Sequence, residues 1–308
     1  MSLSLPSPPS PDALSRALHR PWRRLTHLVQ SRWPWASRLP PLAKWVEWAA
    51  RAGYGGRGFV YLSAGALSLL AATDHIRDAA GSSGAAGWLA GQPYGQVWLL
   101  ALGISLWAFV LWRAIQAIFD PDRHGTGAKG LAKRGGQALS GVFYGVLAAT
   151  VFEYLDEYGG RTEAEDTAEN QQKAAEVLAL PFGEALLILI GLIILAIGLG
   201  NLIRALREDF TEGLDCSDRA RRWAEPLARA GYGARGLAYL PLAVFVLLAG
   251  LRAEAGSVTS FAGGLEALER QPGGSMVLGA LAAGLMAFGA FAFVEARWRR
   301  IRAPKELS

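Results

Sequence analysis

Six long stretches without a charged side chain constrain this chain more than any other feature. They cover residues 58–73, 94–112, 135–152, 185–203, 236–251 and 272–294. A helix of roughly 20 residues crosses a hydrocarbon core of about 30 Å. Because 52% of the residues are hydrophobic and only 19% are charged, the composition is unusual for a soluble domain. The sequence therefore predicts an all-α, polytopic membrane protein with six transmembrane helices.

The basic residues predict how these helices are oriented. Of 31 Lys and Arg residues, 26 lie in the two terminal segments and in the loops on the same side, and 5 lie on the other side. Lys and Arg accumulate on the cytoplasmic side of membrane proteins. We therefore expect a multi-pass membrane protein with cytoplasmic N- and C-termini. Since topology explains the positive charge, no nucleic-acid partner is expected.

A nine-residue segment occurs twice. "ARAGYGGRG" at 50–58 returns as "ARAGYGARG" at 228–236, and 12 of 18 positions are identical between 45–62 and 223–240. A weaker middle copy places Arg134 on Arg51 and Tyr144 on Tyr61, whereas Ser140 replaces Arg57. No strand precedes these glycines and no Lys-Ser/Thr follows them, so the segment differs from a nucleotide-binding loop. It marks the entry to a membrane segment.

The second span of each pair also repeats. These spans begin near Pro93, Pro181 and Pro272, and an alanine follows each proline at the same spacing, at Ala117, Ala205 and Ala296. The repeating unit is thus a pair of spans, and three such pairs are parallel repeats around an axis along the membrane normal. The predicted divisions are a basic, Trp-rich cytoplasmic tail (1–41), three repeats (42–122, 123–212 and 213–302) and a C-terminal tail (303–308).

These motifs resemble a known family. "ARAGYGGRGFVYL", followed by a span that opens with Pro-x-Gly, is similar to the bacterial membrane-protein family catalogued as domain of unknown function 1206, which is built from two-span units in tandem. The likeness covers roughly residues 42–302, and the middle copy departs from the pattern. The resemblance implies a fold and a location in the bacterial inner (cytoplasmic) membrane, and it brings no established activity.

An amphipathic stretch precedes the first span of each unit, with Trp45 and Trp48 suited to the headgroup layer. Glycine tolerates backbone angles that are costly for other residues. We therefore expect short interfacial helices that lie on the membrane and then turn into the spans. The predicted bends are at Gly53, Gly55, Gly231 and Gly233.

Arginines of the repeated segments are the candidate anion- or lipid-binding residues. They are Arg51, Arg57, Arg134, Arg229 and Arg235. In one interpretation, guanidinium groups and glycine N–H groups bind the phosphate of anionic headgroups. In the other, the arginines anchor the topology and pair with Glu47, Glu225 or the carbonyls at helix C-termini.

Polar residues within the spans could form a pathway. The candidates are Arg113, Gln116, Glu153, Glu184, Asn201, Arg204 and Glu295. Most lie at span ends, and Glu295 precedes Arg299 by four residues, which predicts an ordinary helical ion pair. A relay needs a charge near the midplane. Since the sequence shows none there, a transporter is disfavoured.

Chemistry-bearing residues are scarce. Cys216 is the single cysteine, the four histidines lack ligand spacing, and no catalytic motif is present, so neither a metal, a cofactor nor an enzyme is predicted. The acidic stretch at 153–176 is expected to be a solvated outer loop with a short helix. A structural or lipid- or partner-binding role is predicted, and the alternative is a channel or carrier between the three repeats. Expected partners are membrane lipids, especially anionic ones, and a membrane-protein partner or a second copy.

Overall fold

The computed structural model describes residues 42–73, 88–156 and 163–301. In these ranges the chain is all-helical, without strands. The helices are α1 (Leu42–Ala72), α2 (Gly95–Phe119), α3 (Ala128–Asp156), α4 (Glu163–Leu178), α5 (Gly183–Arg207), α6 (Asp218–Arg252), α7 (Phe261–Glu269) and α8 (Gly274–Trp298), with a 3₁₀ turn at Ala255–Ser257. The predicted tails, 1–41 and 303–308, lie outside the described residues.

Contacts between Cα atoms divide the chain into two compact units. The larger is Ala49–Ile301, and the smaller combines Met1–Trp48 with Arg302–Ser308. In the smaller unit only the first turns of α1 are described. There the rings of Trp45 and Trp48 meet edge to face with their centroids 5.4 Å apart.

Five helices of the described segments are long and apolar enough to cross a membrane. They are α2, α3 over Ala128–Glu153, α5, α6 and α8. Helix α1 is 31 residues long but does not belong to this set. Arg57 lies in the middle of its sequence and lowers the hydropathy of the apolar half. The prediction of a helical, polytopic membrane protein is thus confirmed, and the sixth span stays a prediction.

The repeated segments do not divide interfacial helices from spans. Helix α1 runs through the first copy from Leu42 to Ala72, and the 35-residue α6 runs through the second from Asp218 to Arg252. The expectation of separate interfacial helices is therefore corrected. Ser217 caps α6 by accepting a hydrogen bond from the N–H of Ala220 at 3.4 Å, as its residue type predicts.

A tight turn begins the second helix of each pair. The residue before α2, α5 and α8 is left-handed, with φ of 61° at Tyr94, 63° at Phe182 and 76° at Gly273. The glycine that follows cannot carry a side chain, because a Cβ atom on Gly95 would lie 2.2 Å from the Ala90 carbonyl oxygen. The equivalent distances are 2.3 Å at Gly183 and 2.0 Å at Gly274. The Pro-x-Gly pattern thus specifies a close backbone approach.

Helix packing brings the pairs together. Helix α5 packs along α6, α2 along α3, and α8 along α6. Helix α1 approaches α8 closely, since a Cβ atom on Gly289 would lie 2.5 Å from the backbone nitrogen of Leu62. Such small residues allow helix backbones to come close in membrane bundles.

Helix α4 contains residues 163–176 of the acidic stretch, and residues 153–156 form the end of α3. The Gln171 side-chain amide of α4 donates to the carbonyls of Gly256 and Val258 at 3.2 and 3.1 Å. These bonds attach α4 to the turn that follows α6.

The loop between α5 and α6 binds the end of α8. The N–H of Asp215 donates to the Trp298 carbonyl at 2.7 Å, and the N–H of Arg300 donates to the Gly213 carbonyl at 3.0 Å. Within the loop, hydrogen bonds from the hydroxyl and the N–H of Thr211 lower the pKa of Asp209. The loop therefore has a defined conformation.

Candidate functional site

Arg57 lies in the interior of the larger unit. Its side chain is 1% exposed and forms an ion pair with Glu295 of α8, which is also buried. The guanidinium carbon lies 5.2 Å from the ring centroids of Tyr54 and Phe109 and 5.0 Å from that of Phe288. Rings from three helices thus enclose the cation. This placement corrects the expectation that Arg57 faces the membrane surface.

Glu295 has a second partner at the end of its own helix. Arg299 follows four residues later and donates to the other carboxylate oxygen, which is the pair that the spacing predicts. The Arg299 guanidinium carbon also lies 5.2 Å from the Tyr54 ring centroid. Burial disfavours the charge of Arg299, but Tyr54 and Glu295 outweigh it and raise the pKa of Arg299. One carboxylate therefore joins two arginines.

A chain of polar side chains runs from α2 to α3. Arg113 donates to the Oε1 atom of Gln116 at 3.0 Å, and the Gln116 amide donates to Asp122 at 2.7 Å. The Gln137 amide approaches the same carboxylate oxygen at 3.4 Å. Arg113 also stacks on Phe109 at 4.8 Å. A partly buried charge on α2 is thereby linked to an acceptor.

Arg235, the counterpart of Arg57 in the second copy, has different neighbours. Its guanidinium carbon lies 5.1 Å from the Tyr61 ring centroid, 5.5 Å from Tyr239 and 4.8 Å from Phe288. A hydrogen bond of 3.4 Å to the Tyr239 hydroxyl is its polar contact. In the part of the chain that the structure describes, no carboxylate pairs with Arg235, and its buried Nε atom has no acceptor.

The three remaining candidate arginines share one kind of contact. Each donates to two carbonyls at the C-terminal end of a helix from another pair, which carries partial negative charge. Arg51 binds Ala296 and Arg297 on α8 (2.8 and 2.9 Å), Arg134 binds Ala117 and Ile118 on α2 (2.8 and 3.0 Å), and Arg229 binds Ala205 and Leu206 on α5 (3.2 and 3.3 Å). Arg229 also pairs with Glu225 at 2.7 Å. The anchoring interpretation describes these contacts, and lipid binding by them stays a prediction.

The other predicted pathway residues are not all brought together. Glu153 and Glu184 are exposed, and the Asn201 amide donates to the Ile197 carbonyl of its own helix at 2.9 Å. Arg204 pairs with Glu208. The residues that do converge are Arg113, Arg204 and Glu295, since the Glu295 carboxylate interacts electrostatically with both arginines as well as with Arg57 and Arg299.

The motif glycines act in packing. A Cβ atom on Gly53 would lie 2.6 Å from backbone atoms of Phe109, and one on Gly231 would lie 2.5 Å from the Phe288 Cα atom. Gly55 has nothing within 4 Å of such an atom, and Gly233 has only the Ala205 Cβ atom at 3.8 Å. Because the helices continue through all four positions, the predicted bends are corrected to close contacts at Gly53 and Gly231.

A match to a family model agrees with this repetition. The family described as Domain of Unknown Function (DUF1206) matches three times in tandem, at residues 52–120, 135–208 and 230–299. The chain belongs to this family. It is also 30% identical over 254 residues to the uncharacterized protein YxxB of Bacillus subtilis (strain 168), covering 82% of this chain and 90% of that protein. No solved structure matches the chain.

The sequence analysis did not predict the aromatic residues that surround Arg57 and Arg235. Tyr61, Tyr144 and Tyr239 occupy the same position in the three DUF1206 repeats, and Phe109 and Phe288 follow the prolines of their repeats at the same spacing. The repeat alignment carries this signal, because a polar ring at one position in every copy points to a shared interior layer. The structure shows that Arg57 and Arg235 lie beside that layer.

A separate pocket of about 710 Å³ lies between α4, α6 and α7. Its lining includes Thr167, Gln171, Arg252, Glu266 and Arg270. By the distribution of basic residues, this end of the helices is the predicted outer side. The pocket is separate from the buried polar side chains of the bundle, which we call the polar centre: Arg57, Gln116, Gln137, Asn201 and Glu295.

Proposed function

We propose that this protein is a structural, lipid-binding component of the bacterial inner membrane, with six spans in three parallel repeats and both termini in the cytoplasm. We propose no catalytic activity for it. The contacts of Arg51, Arg134 and Arg229 support the arrangement, since each joins the first helix of one repeat to the second helix of the preceding one. The first helix of repeat 1 is joined in the same way to the second helix of repeat 3, so the three repeats form a closed ring of contacts.

A surface patch on α6 and α8 carries the lipid-binding proposal. Trp223 is 42% exposed, and its ring lies edge to face with Trp298 at 6.2 Å between centroids. Arg297 is exposed beside it, 6.0 Å from the Trp298 ring, and Arg222 is exposed on α6. Tryptophan and arginine together suit the headgroup layer, where rings lie at the interface and cations attract anionic lipids. In the proposed arrangement of six spans with cytoplasmic termini, this patch lies on the cytoplasmic side.

Native mass spectrometry of the purified protein with its retained lipids tests the proposal. We expect Arg297→Gln to reduce retained phosphatidylglycerol relative to wild type, because each basic residue near a membrane contributes about 1 kcal/mol of attraction. Arg252→Gln is the matched control, since it removes an exposed arginine at the opposite end of α6 and should leave retention unchanged. Equal retention in wild type and Arg297→Gln would refute the headgroup role of the patch.

The polar centre favours a second candidate, a carrier or channel between the repeats. Arg57, Gln116, Gln137, Asn201 and Glu295 are buried in the bundle, so its interior is not purely apolar. Ionisable groups inside membrane proteins often lie on transport paths. Anion flux into proteoliposomes above that of protein-free vesicles would support this candidate. A membrane-protein partner or a second copy stays a prediction.

A further inference from the structure

Arg235 is the starting point, because its charge lacks the compensation that Arg57 has. Three aromatic rings lie within 5.5 Å of its guanidinium carbon. Ring faces attract a cation, but they offer no acceptor in the plane of the guanidinium N–H groups. The shielded Nε atom has no hydrogen-bond partner in the described ranges, as is also true of the Arg57 Nε atom, so the difference between the two arginines is the carboxylate that pairs with Arg57. Arg235 as a whole is half-buried, and a charge that is withdrawn from water without a partner is costly, so this position favours a bound anion.

The groups around Arg235 can all donate hydrogen bonds. The arginine charge interacts with the hydroxyls of Tyr61, Tyr239 and Tyr144, and the Tyr61 hydroxyl is a neighbour of the other two. Tyr144 is 3% exposed, and its hydroxyl lies beside that of Tyr61 without a hydrogen bond of favourable geometry to any described residue. A guanidinium donates only, and a tyrosine hydroxyl can donate one hydrogen bond. The set is therefore complementary to an acceptor with negative charge.

The counterpart of Glu295 in the second repeat is an arginine, and this supports an anion site. Glu295, which pairs with Arg57, follows Pro272 at the same spacing at which Arg204 follows Pro181, so the two residues are counterparts in their repeats. Helix α5, which carries Arg204, packs along α6. The counterpart of the carboxylate that pairs with Arg57 is therefore an arginine, which pairs with Glu208 and lies 4.4 Å from the Tyr232 ring centroid.

We propose that Arg235, Tyr61, Tyr144 and Tyr239 bind a small monovalent inorganic anion inside the bundle. A guanidinium without a carboxylate partner carries one positive charge, so a monovalent anion neutralises it. Because three ring centroids lie within 5.5 Å of the guanidinium carbon, little space remains beside it, so the site takes an ion of halide size rather than a lipid phosphate with its acyl chains. This site is independent of the patch at Trp223, so the two proposals stand or fall separately.

Bromide is the probe. The full-length protein in detergent is unfolded thermally while sodium bromide replaces sodium gluconate at constant ionic strength. Binding to the native state alone raises the Tm with ligand concentration. We expect a rise of about 4 °C at ten times the dissociation constant, and a further rise with the logarithm of the bromide concentration above it. Gluconate is the reference because it is too large for an enclosed site.

Arg235→Gln should abolish the bromide-dependent rise. Arg229→Gln is the matched control: it removes an arginine from the same helix whose contacts are carbonyls and Glu225, and it should keep the full bromide effect. Tyr144→Phe retains the charge and removes one donor, so the bromide dissociation constant fitted to the Tm dependence should increase about tenfold.

A bromide response that is absent in wild type, or equal in wild type and Arg235→Gln, would overturn the proposal. If Arg235→Gln does not fold, Tyr144→Phe decides the matter, and an unchanged dissociation constant for bromide overturns the proposal. An equal loss of the response in Arg229→Gln would show a surface-charge effect and would also overturn it.

Discussion

Two copies of one sequence segment hold their second arginine in different electrostatic surroundings. Arg57 is paired with Glu295, whereas Arg235 has three rings, one weak hydrogen bond and no carboxylate among its described neighbours. The segments are nearly identical, so the difference comes from the helix that each one faces. The repeated segment therefore determines the backbone conformation and the packing, and the neighbouring repeat determines whether its second arginine is paired with a carboxylate.

The partner position varies across the three repeats. Gln116, Arg204 and Glu295 are counterparts, because each follows the proline of its repeat at the same spacing. The arginine of the first copy pairs with the glutamate, whereas the counterparts of that glutamate in the other two repeats are a glutamine and an arginine. Divergence at this position thus produces one closed ion pair and one uncompensated cation within the same architecture.

The largest expected effect comes from breaking the Arg57–Glu295 pair. Arg57→Gln should lower the free energy of unfolding by about 3 kcal/mol, because removal of one partner leaves a buried charge. Thermal unfolding in detergent measures the loss. The double variant Arg57→Gln/Glu295→Gln should recover part of it, since both charges are then gone. A double variant as unstable as the sum of the two single variants would show that the pair is not coupled.

The close contacts of the motif glycines should matter nearly as much, and equally in both copies. Gly53→Ala and Gly231→Ala each place a Cβ atom against the backbone of a phenylalanine, which should cost about 2 kcal/mol through overpacking. Gly55→Ala is the matched control, because its side is open and alanine favours a helix by about 0.5–1 kcal/mol. Stability curves of the variants decide the point: equal destabilisation at Gly53 and Gly55 would contradict a packing role.

An intermediate effect is expected at the helix-end contacts. Arg134→Gln removes charge-assisted bonds to the carbonyls of Ala117 and Ile118. Hydrogen bonds to charged groups contribute about 1.5–3 kcal/mol, and partial solvent exposure reduces the loss here to about 1 kcal/mol. Lys133→Gln, at the adjacent exposed position, is the control and should change the melting temperature little. Equal shifts for both would mean that charge alone, rather than the carbonyl contacts, stabilises this end.

The sequence predicted much of the fold and part of the site. Uncharged runs predicted helices that the structure contains, because length and hydropathy act locally. The four-residue spacing predicted the Glu295–Arg299 pair for the same reason. The Arg57–Glu295 pair joins residues 238 positions apart, so it depends on which helices become neighbours, and no local pattern encodes that.

The helix-entry bends were mispredicted because glycine has two uses. It permits unusual backbone angles, and it also permits close packing within a regular helix. Gly53 and Gly231 serve the second use, as their distances to Phe109 and Phe288 show. The repeat itself carried a clue: a glycine needed for contact recurs with the residue that it contacts, and here a phenylalanine recurs at a fixed spacing after Pro93 and Pro272.

The smallest expected effect is the sharpest test of the comparison. Arg235→Gln, measured in sodium gluconate without bromide, should change the free energy of unfolding by less than about 0.5 kcal/mol or increase it. The substitution gives up cation–π contacts with Tyr61, Tyr239 and Phe288, but it also removes a desolvated charge without a carboxylate partner among the described residues. Arg57→Gln under the same conditions is the reference, and its loss should be several times larger. Chemical denaturation of both variants gives the two values side by side. Equal losses would mean that Arg235 is compensated as fully as Arg57, and the contrast between the two copies would then lie in geometry alone.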